Sequence, residues 1–169
     1  YKKIDLTLRG NWAAEVAALQ PHVGLAIIAP AFPATGRTTL NGRVMVNGQP
    51  LETTDTWKLE HADRSADIAS MLGDAGLRVA KLSLEALRGS SAALLQHITE
   101  IAHSEADALI VDAETTEDLR TLAVATTTIN APLFWVGSGG LARELAALPY
   151  LLSTPAQTPV APREKYAPT

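Results

Sequence analysis

The sequence contains no cysteine among its 169 residues and no apolar run long enough to cross a bilayer. The absence of thiols excludes disulfide bonds and cysteine-ligated metals, and it fits a reducing compartment, so we expect a cytoplasmic location. A membrane-spanning helix needs about 20 mostly apolar residues, so no membrane partner is expected. Because the chain begins at Tyr1 rather than Met, the sequence leaves open whether a targeting segment precedes it.

A surplus of positive charge is also missing. Fourteen Lys and Arg residues face 18 Asp and Glu residues, which gives a formal net charge of −4, and no basic cluster offsets it. Nucleic acid is therefore not an expected partner. The histidines lack metal-ligand spacing: His97 and His103, six residues apart, do not share a helical face, so no metal site is predicted.

The pattern of the chain indicates an α/β fold. Short apolar runs alternate with helical patterns, which is typical of βαβ units and a parallel sheet. We therefore predict a doubly wound, mostly parallel sheet with a β-hairpin insertion at Asn47-Gly48, a dipeptide that favours tight hairpin turns. The predicted strands lie near residues 2–7, 25–29, 77–82, 108–112 and 132–136.

The first predicted strand carries four polar residues at alternate positions, Lys3, Asp5, Thr7 and Arg9. On a strand, side chains two residues apart share a face. Such a row suits a small anionic polyol, because cations can bind its carboxylate while Asp and Thr bind its hydroxyls. The alternative is a strand with one solvated face. The hydropathy pattern alone favours this alternative, but parallel strands are usually apolar on both faces, so a charged face requires an explanation and both interpretations stay open.

Two further segments follow predicted strands, and ligands of open α/β sheets lie beyond the carboxyl ends of strands. The segment 30–39 contains Arg37 and several threonines; it is either a binding loop or a surface loop made rigid by its prolines. The turn Gly137-Ser138-Gly139-Gly140 precedes a helix, where exposed N–H groups can bind an anion. The alternative there is a tight strand-to-helix turn.

Several acidic residues cluster after the strand that ends near 112. Asp112 lies at the strand end, where a carboxylate can bind a ligand. Glu114, Glu117 and Asp118 lie before or within the first turn of the next helix, where acidic side chains stabilise the helix dipole, so we predict a capping role for these three.

These motifs resemble, in order, those of the four-carbon acid sugar kinases. Residues 2–11, Lys-Lys-Ile-Asp-Leu-Thr-Leu-Arg-Gly-Asn, are similar to the K-K-x-D-S-T-L-R-G-N signature of that family, and residues 30–37 to its P-A-F-P-x-x-G-R segment. The hairpin at Val46-Asn47-Gly48, the Asp112 segment and the 137–142 turn are similar to its later landmarks.

The resemblance implies a two-domain, ATP-dependent kinase that phosphorylates a threonate, an erythronate or a 3-oxo-tetronate. Residues 1–153 would form the acid-sugar-binding domain without its first strand. The proline-rich residues 154–169 would be a linker or the start of an absent ATP-binding domain. ATP and Mg would bind mainly outside this chain, so the chain alone is expected to be inactive. Homo-oligomerisation stays open.

The resemblance also implies roles for the site residues. Lys3 and Arg9 would clamp the substrate carboxylate, Asp5 would orient or deprotonate its hydroxyl, and Arg37 would close over the ligand. Thr7 and Asp112 are further predicted substrate ligands, and residues 137–140 a predicted anion site. Leu6 departs from the signature, which has Ser there. This departure, and the absence of the ATP-binding domain, leave an alternative: a stand-alone binding or regulatory module without catalysis.

Overall fold

The fold was described from a computed structural model that covers residues 1–61 and 64–148. Its strands are Lys2–Lys3 (β1), Leu25–Ala29 (β2), Arg37–Leu40 (β3), Arg43–Val46 (β4), Gln49–Pro50 (β5), Val79–Leu82 (β6), Ala108–Val111 (β7) and Leu133–Gly137 (β8). Its α-helices are Trp12–Val23 (α1), Asp55–His61 (α2), Ile68–Asp74 (α3), Leu84–Leu87 (α4), Ser91–Ala102 (α5), Thr116–Thr127 (α6) and Gly139–Ala146 (α7). Short 3₁₀ helices span Pro33–Thr35 and Leu51–Thr53.

A five-stranded parallel sheet forms the centre of the domain, in the order β1-β8-β2-β7-β6. The predicted α/β class and parallel sheet are confirmed. The central strand β2 pairs with β8 on one side and β7 on the other, and all five of its residues are buried. Strands with neighbours on both edges and helices on both faces need apolar side chains in every position, which explains the uninterrupted run Leu-Ala-Ile-Ile-Ala.

Two hydrophobic cores pack against the two faces of this sheet. One contains side chains of α1 and α3, such as Val16 and Leu72, and the other contains side chains of α4 to α7, such as Leu87, Leu119 and Leu145. Burying one such leucine side chain is worth about 1.5–3 kcal/mol. The sheet is therefore held from both sides, which is the doubly wound arrangement.

The predicted hairpin insertion is confirmed, and it is larger than expected. Strands β3, β4 and β5 form a separate antiparallel sheet. Asn47 and Gly48 connect β4 to β5, with φ of 49° and 79°. A second Asn-Gly pair, Asn41 and Gly42, connects β3 to β4 with φ of 54° and 74°. Positive φ at both central residues is the geometry of tight hairpin turns that Asn-Gly favours.

The extent predicted for the first strand is wrong. The strand ends at Lys3, and the chain then turns. An Asp5 carboxylate oxygen accepts the Thr7 backbone N–H at 2.9 Å, and the Asp5 carbonyl accepts the Leu8 N–H at 3.2 Å. Leu8 has a φ of 56° and is fully buried. A short side-chain-to-backbone bond that stabilises a turn competes with strand pairing, and here the turn wins.

The other predicted strands shift little. Strand β2 has the predicted bounds, β6 starts two residues later at Val79, and β8 runs one residue further, to Gly137. The predicted boundary at residue 153 and the 154–169 segment lie outside the described residues. Among those described, no helix combines the length and apolarity that a membrane crossing requires.

Of the three acidic residues predicted to cap α6, only Asp118 makes capping bonds; the carboxylate of Glu114 pairs with Arg88, and that of Glu117, in the first turn, pairs with Arg120. Thr115 and Asp118 form a reciprocal capping box, and Asp118 also accepts hydrogen bonds from the backbone N–H of Glu114 at 2.9 Å and from Arg88 at 2.8 Å. Burial acts to raise the pKa of Asp118, but these bonds outweigh it and hold that pKa well below its usual value.

Asp118→Asn should destabilise the domain, because the amide cannot accept all of these bonds. We expect a loss of about 1–3 kcal/mol at pH 7. Since the folded-state pKa of Asp118 is depressed, its stabilisation is present above the ordinary value of 3.8 and is lost as the pH falls through the folded pKa. Urea unfolding between pH 7 and pH 3 measures this effect. The difference in the free energy of unfolding between wild type and variant should become smaller below pH 3.8. Glu117→Gln, whose carboxylate is 71% exposed in the same helical turn, is the control and should change stability little. A difference in unfolding free energy that stays constant with pH would show that the Asp118 carboxylate is not the source of this stability.

Candidate functional site at the carboxyl edge of the sheet

Parallel pairing brings the predicted site segments to one edge of the sheet. The loop after β1, the turn after β8, the segment after β2 and Asp112 after β7 follow the ends of four neighbouring strands. The Ile4 N–H donates to the Gly137 carbonyl at 2.9 Å, and the Ser138 hydroxyl donates to the Ala31 carbonyl at 3.2 Å. These bonds hold neighbouring segments against each other.

The loop of residues 5–9, which we call the signature loop, is organised around Asp5. Its Oδ2 accepts hydrogen bonds from the Thr7 hydroxyl at 2.5 Å and from Arg9 Nε at 3.0 Å, and its Oδ1 accepts from Arg9 Nη2 at 3.0 Å. The pair between Asp5 and Arg9 is therefore bidentate. Arg9 holds the pKa of Asp5 well below its usual range, with further contributions from Thr7 that outweigh the effect of burial.

The same-face row predicted from strand alternation does not form as a row on a strand, because the strand ends at Lys3. Three of its four members, Asp5, Thr7 and Arg9, are instead brought together by the turn. The Arg9 side chain is 50% exposed and that of Asp5 33%, so the group faces solvent at the sheet edge. Lys3 is also exposed and is the last residue of β1. Leu6 lies within the turn, partly buried, rather than on an opposite strand face.

Arg37 begins β3, on the small sheet. Its Nη1 donates to the Thr35 carbonyl at 2.9 Å, while its Nε is buried and has no hydrogen-bond partner among the described residues. Arg37 lies opposite Val46, so their side chains share a face of the small sheet. Val46 and its neighbour Val44 pack in the same core as Leu8 of the signature loop. Arg37 therefore lies on the sheet face that is turned towards that loop's core.

The glycines of the 137–140 turn are required by close packing. A Cβ on Gly137 would lie 2.6 Å from the Ala29 carbonyl oxygen, and one on Gly140 would lie 2.5 Å from the Ala31 carbonyl oxygen. Ser138 caps α7, with its hydroxyl accepting the Gly140 N–H at 3.3 Å. These contacts account for the turn as a structural element. Anion binding by Gly137, Ser138, Gly139 and Gly140 stays a prediction.

Asp112 lies directly after β7, as predicted, and is only 5% exposed. Its Oδ2 accepts the Asn41 N–H at 2.8 Å and its Oδ1 accepts the Gly42 N–H at 2.9 Å. Both carboxylate oxygens therefore bind the β3–β4 turn. Sequence reasoning missed this turn, although Asn41-Gly42 carries the same hairpin signal that identified Asn47-Gly48.

A cleft lies beside the residues that directly follow the signature loop. It has a volume of about 540 Å³, and its lining includes Gly10, Asn11, Trp57 and Arg64. None of the predicted site residues lines it, although Gly10 directly follows the signature loop. We place the site at the sheet edge, because that is where charged groups able to bind an anion are grouped on one loop and its neighbours.

The described residues contain no group of three or more His, Asp or Glu side chains placed to hold a metal ion. The side chains of Glu60 and His61 lie outside the described residues.

Comparison with known proteins identifies the family. Residues 1–145 match the model of a sugar-binding N-terminal domain. The chain is 56% identical over 147 residues to a D-threonate kinase of Cupriavidus necator, covering 87% of this chain and 35% of that protein. It is 31% identical over 163 residues to a D-erythronate kinase of Heliobacterium modesticaldum, covering 92% of this chain and 36% of that protein.

The fold is shared with a crystal structure of a domain of unknown function from Bordetella bronchiseptica, a domain-swapped dimer with bound citrate. The TM-score is 0.70 at 31% identity, with 86% of this chain and 36% of that chain covered. The chain spans about a third of the length of the relatives that it matches. Since the family model covers most of the chain, this chain belongs to the sugar-binding N-terminal domain family, which confirms the resemblance to the acid sugar kinases predicted from its motifs.

Proposed function

We propose that this domain binds the acid substrate of a kinase for four-carbon acid sugars, of the threonate, erythronate or 3-oxo-tetronate type. The observation that carries the proposal is the signature loop, in which a half-exposed Arg9 is held in a fixed orientation by Asp5 at the end of β1. The names of the curated relatives support it. So does the citrate bound by the related Bordetella domain, since citrate also combines carboxylates with a hydroxyl.

In this proposal the substrate carboxylate binds to Arg9 and Lys3, and Arg37 approaches from the small sheet. A planar guanidinium that is already oriented loses little side-chain entropy when it binds a carboxylate through two parallel bonds. The Thr7 hydroxyl lies beside Arg9 on Asp5 and would bind a substrate hydroxyl. The N–H groups of the 137–140 turn would bind negative charge next to the loop.

Of the two roles predicted for Asp5, the contacts favour orientation. A carboxylate that accepts bonds from Arg9 and Thr7, and whose pKa is held well below its usual range, is a weak proton acceptor. It holds Thr7 and Arg9 in place for the substrate. Catalysis of phosphoryl transfer depends mainly on such positioning and on charge stabilisation, because the transition state is loose.

Phosphoryl transfer also requires ATP, and we propose that ATP and Mg bind in the part of the relatives that this chain does not match. The sequence contains no phosphate loop with its lysine, and the described residues offer no cluster of metal ligands. The isolated 169-residue chain should therefore not turn over ATP. We further propose that the protein is cytoplasmic, and that it forms a homo-oligomer as the related Bordetella dimer does.

The direct test of the proposed function is a substrate screen on the intact protein that contains this domain. With ATP and Mg, we expect phosphorylation of D-threonate, D-erythronate or a 3-oxo-tetronate, because these present one carboxylate and adjacent hydroxyls to the signature loop. The neutral polyols threitol and erythritol are the controls, and they should be poor substrates. Turnover of the polyols at the same kcat/KM as the acids would contradict a carboxylate-binding site.

Arg9→Ala should weaken use of the acid sugar, while Arg78→Ala should not. Both arginines make a bidentate pair with an aspartate, Arg9 with Asp5 and Arg78 with Asp107 at 3.0 and 3.1 Å, but Arg78 lies at the opposite edge of the sheet. A lost charge-assisted bond is worth about 1.5–3 kcal/mol, so kcat/KM for the acid should fall roughly tenfold to a hundredfold in Arg9→Ala. The KM for ATP should change much less.

Arg9→Lys should restore only part of that loss, because an ammonium cannot reproduce the planar fork. Steady-state kinetics with the acid varied at saturating ATP measure all three variants. Equal losses in Arg9→Ala and Arg78→Ala would show that the effect is general destabilisation and would remove Arg9 from the site.

A further inference from the structure

The carboxylate of Asp112 fastens one sheet to the other. Its two oxygens accept the backbone N–H groups of Asn41 and Gly42, the two central residues of the β3–β4 turn, at 2.8 and 2.9 Å. The residue is 5% exposed. A buried carboxylate needs such charge-assisted bonds to offset its loss of hydration, so this contact specifies where the turn lies.

Neighbouring contacts fix β3 along its length. Thr39 and Ala113 exchange two backbone hydrogen bonds, at 2.8 and 3.0 Å, directly beside the Asp112 contact. Lys81 of β6 packs under the turn, where a Cβ on Gly42 would lie 3.3 Å from its Cε. The small sheet is thus attached to the carboxyl end of β7 through β3.

Arg37 begins the strand that this attachment holds. Its backbone pairs with Phe32, in the segment after β2, through hydrogen bonds of 2.9 and 3.3 Å, and its described side-chain bond goes to Thr35 of the same segment. Phe32 thus holds the start of β3, while Asp112 holds the turn at its end. No described side-chain bond of Arg37 reaches the parallel sheet, so the guanidinium moves with β3. Thr39 shares its face of the strand and is fully buried, with no partner for its hydroxyl among the described residues. Backbone contacts, rather than these side chains, hold β3.

We propose that Asp112 is a positioning residue for Arg37: it sets the distance between the Arg37 guanidinium and the signature loop, and it does not bind substrate itself. The inference rests on the proposed function of this edge. It replaces the direct substrate contact predicted for Asp112 with an indirect one, through the Asn41-Gly42 turn and β3.

A double-mutant cycle on the intact kinase separates the two roles. Asp112→Asn turns one acceptor into a donor that faces a backbone N–H, so the turn and β3 should shift. A displacement near 1 Å can cost up to a hundredfold in rate, so we expect kcat/KM for the acid sugar to fall roughly tenfold or more, with the KM for ATP unchanged. In an Arg37→Ala background, Asp112→Asn should lower kcat/KM for the acid sugar by less than about twofold, because the guanidinium that Asp112 positions is no longer present. Additive losses would show that Asp112 acts independently of Arg37 and would overturn the proposal.

Asp118→Asn is the matched control. Asp118 is likewise a buried carboxylate that accepts two backbone N–H groups, those of Glu114 and Thr115, but it lies at the start of α6. It should lower stability and leave kcat/KM for the acid sugar unchanged. If it lowers kcat/KM as much as Asp112→Asn, the effect is loss of stability and the proposal fails. Should Asp112→Asn not fold, Asp112→Glu, which keeps the charge but moves the oxygens, replaces it with the same expected coupling to Arg37.

Hydrogen exchange tests the attachment without relying on turnover. Amides of residues 37–46 should exchange faster in the Asp112 variant than in wild type, and no faster in Asp118→Asn. Unchanged exchange at 37–46 would overturn the inference even if the protein is active. If the intact protein phosphorylates none of the acid sugars, the proposed function has failed, and the exchange result alone decides whether Asp112 positions β3.

Discussion

The parallel pairing of β2 with β8 and β7 fixes the positions of the strand ends, and therefore of every loop at the candidate site. β2 is buried throughout and shares backbone hydrogen bonds with both neighbours, so the ends of three strands are fixed relative to one another. β1 adds to the β8 edge. Because all of these strands run in the same direction, the loops that follow them lie at one edge of the sheet. Residues from four distant parts of the sequence are therefore close together there.

Two different sets of hydrogen bonds hold the cationic residues Arg9 and Arg37 in place at this edge. The signature loop is held locally, by bonds within five consecutive residues that centre on the Asp5 carboxylate. Arg37 begins a strand that is held at two places: its own backbone pairs with Phe32, and the turn at the other end of the strand is bound by Asp112 at the end of β7. The signature loop contains its own supporting bonds, whereas the strand of Arg37 also depends on a residue far away in the sequence. The two cations are therefore expected to respond differently to mutations far from the substrate.

Sequence reasoning predicted the buried strands well because their physics is simple. Leu25–Ala29 and Ala108–Val111 are apolar at every position, and runs of this length favour a strand covered on both faces over a helix. It misjudged residues 5–8, because the alternation of polar and apolar residues there is a turn whose side chain bonds to its own backbone. A strand with one solvated face would show the same alternation as this turn, and only the hydrogen bonds of Asp5 distinguish the two structures.

The site residues were predicted from motif and strand-end position, and their grouping at one edge follows from the topology. Their partners could not be predicted, since the bonds of Asp112 to Asn41 and Gly42 join residues 71 and 70 positions apart. The second Asn-Gly turn was present in the sequence. Its flanks contain arginine and threonine among the apolar residues that mark a hairpin, so its signal is weaker than that of Asn47-Gly48.

In the proposed complex the acid sugar binds at the carboxyl edge of the parallel sheet, with its carboxylate on the signature loop. A crystal structure of the intact protein with D-threonate would show whether it does. We expect carboxylate oxygens within about 2.7–3.2 Å of the Arg9 guanidinium, with Arg37 contacting the same ligand. A ligand bound instead in the cleft beside Trp57 and Arg64, without contact to the Arg9 guanidinium, would contradict it.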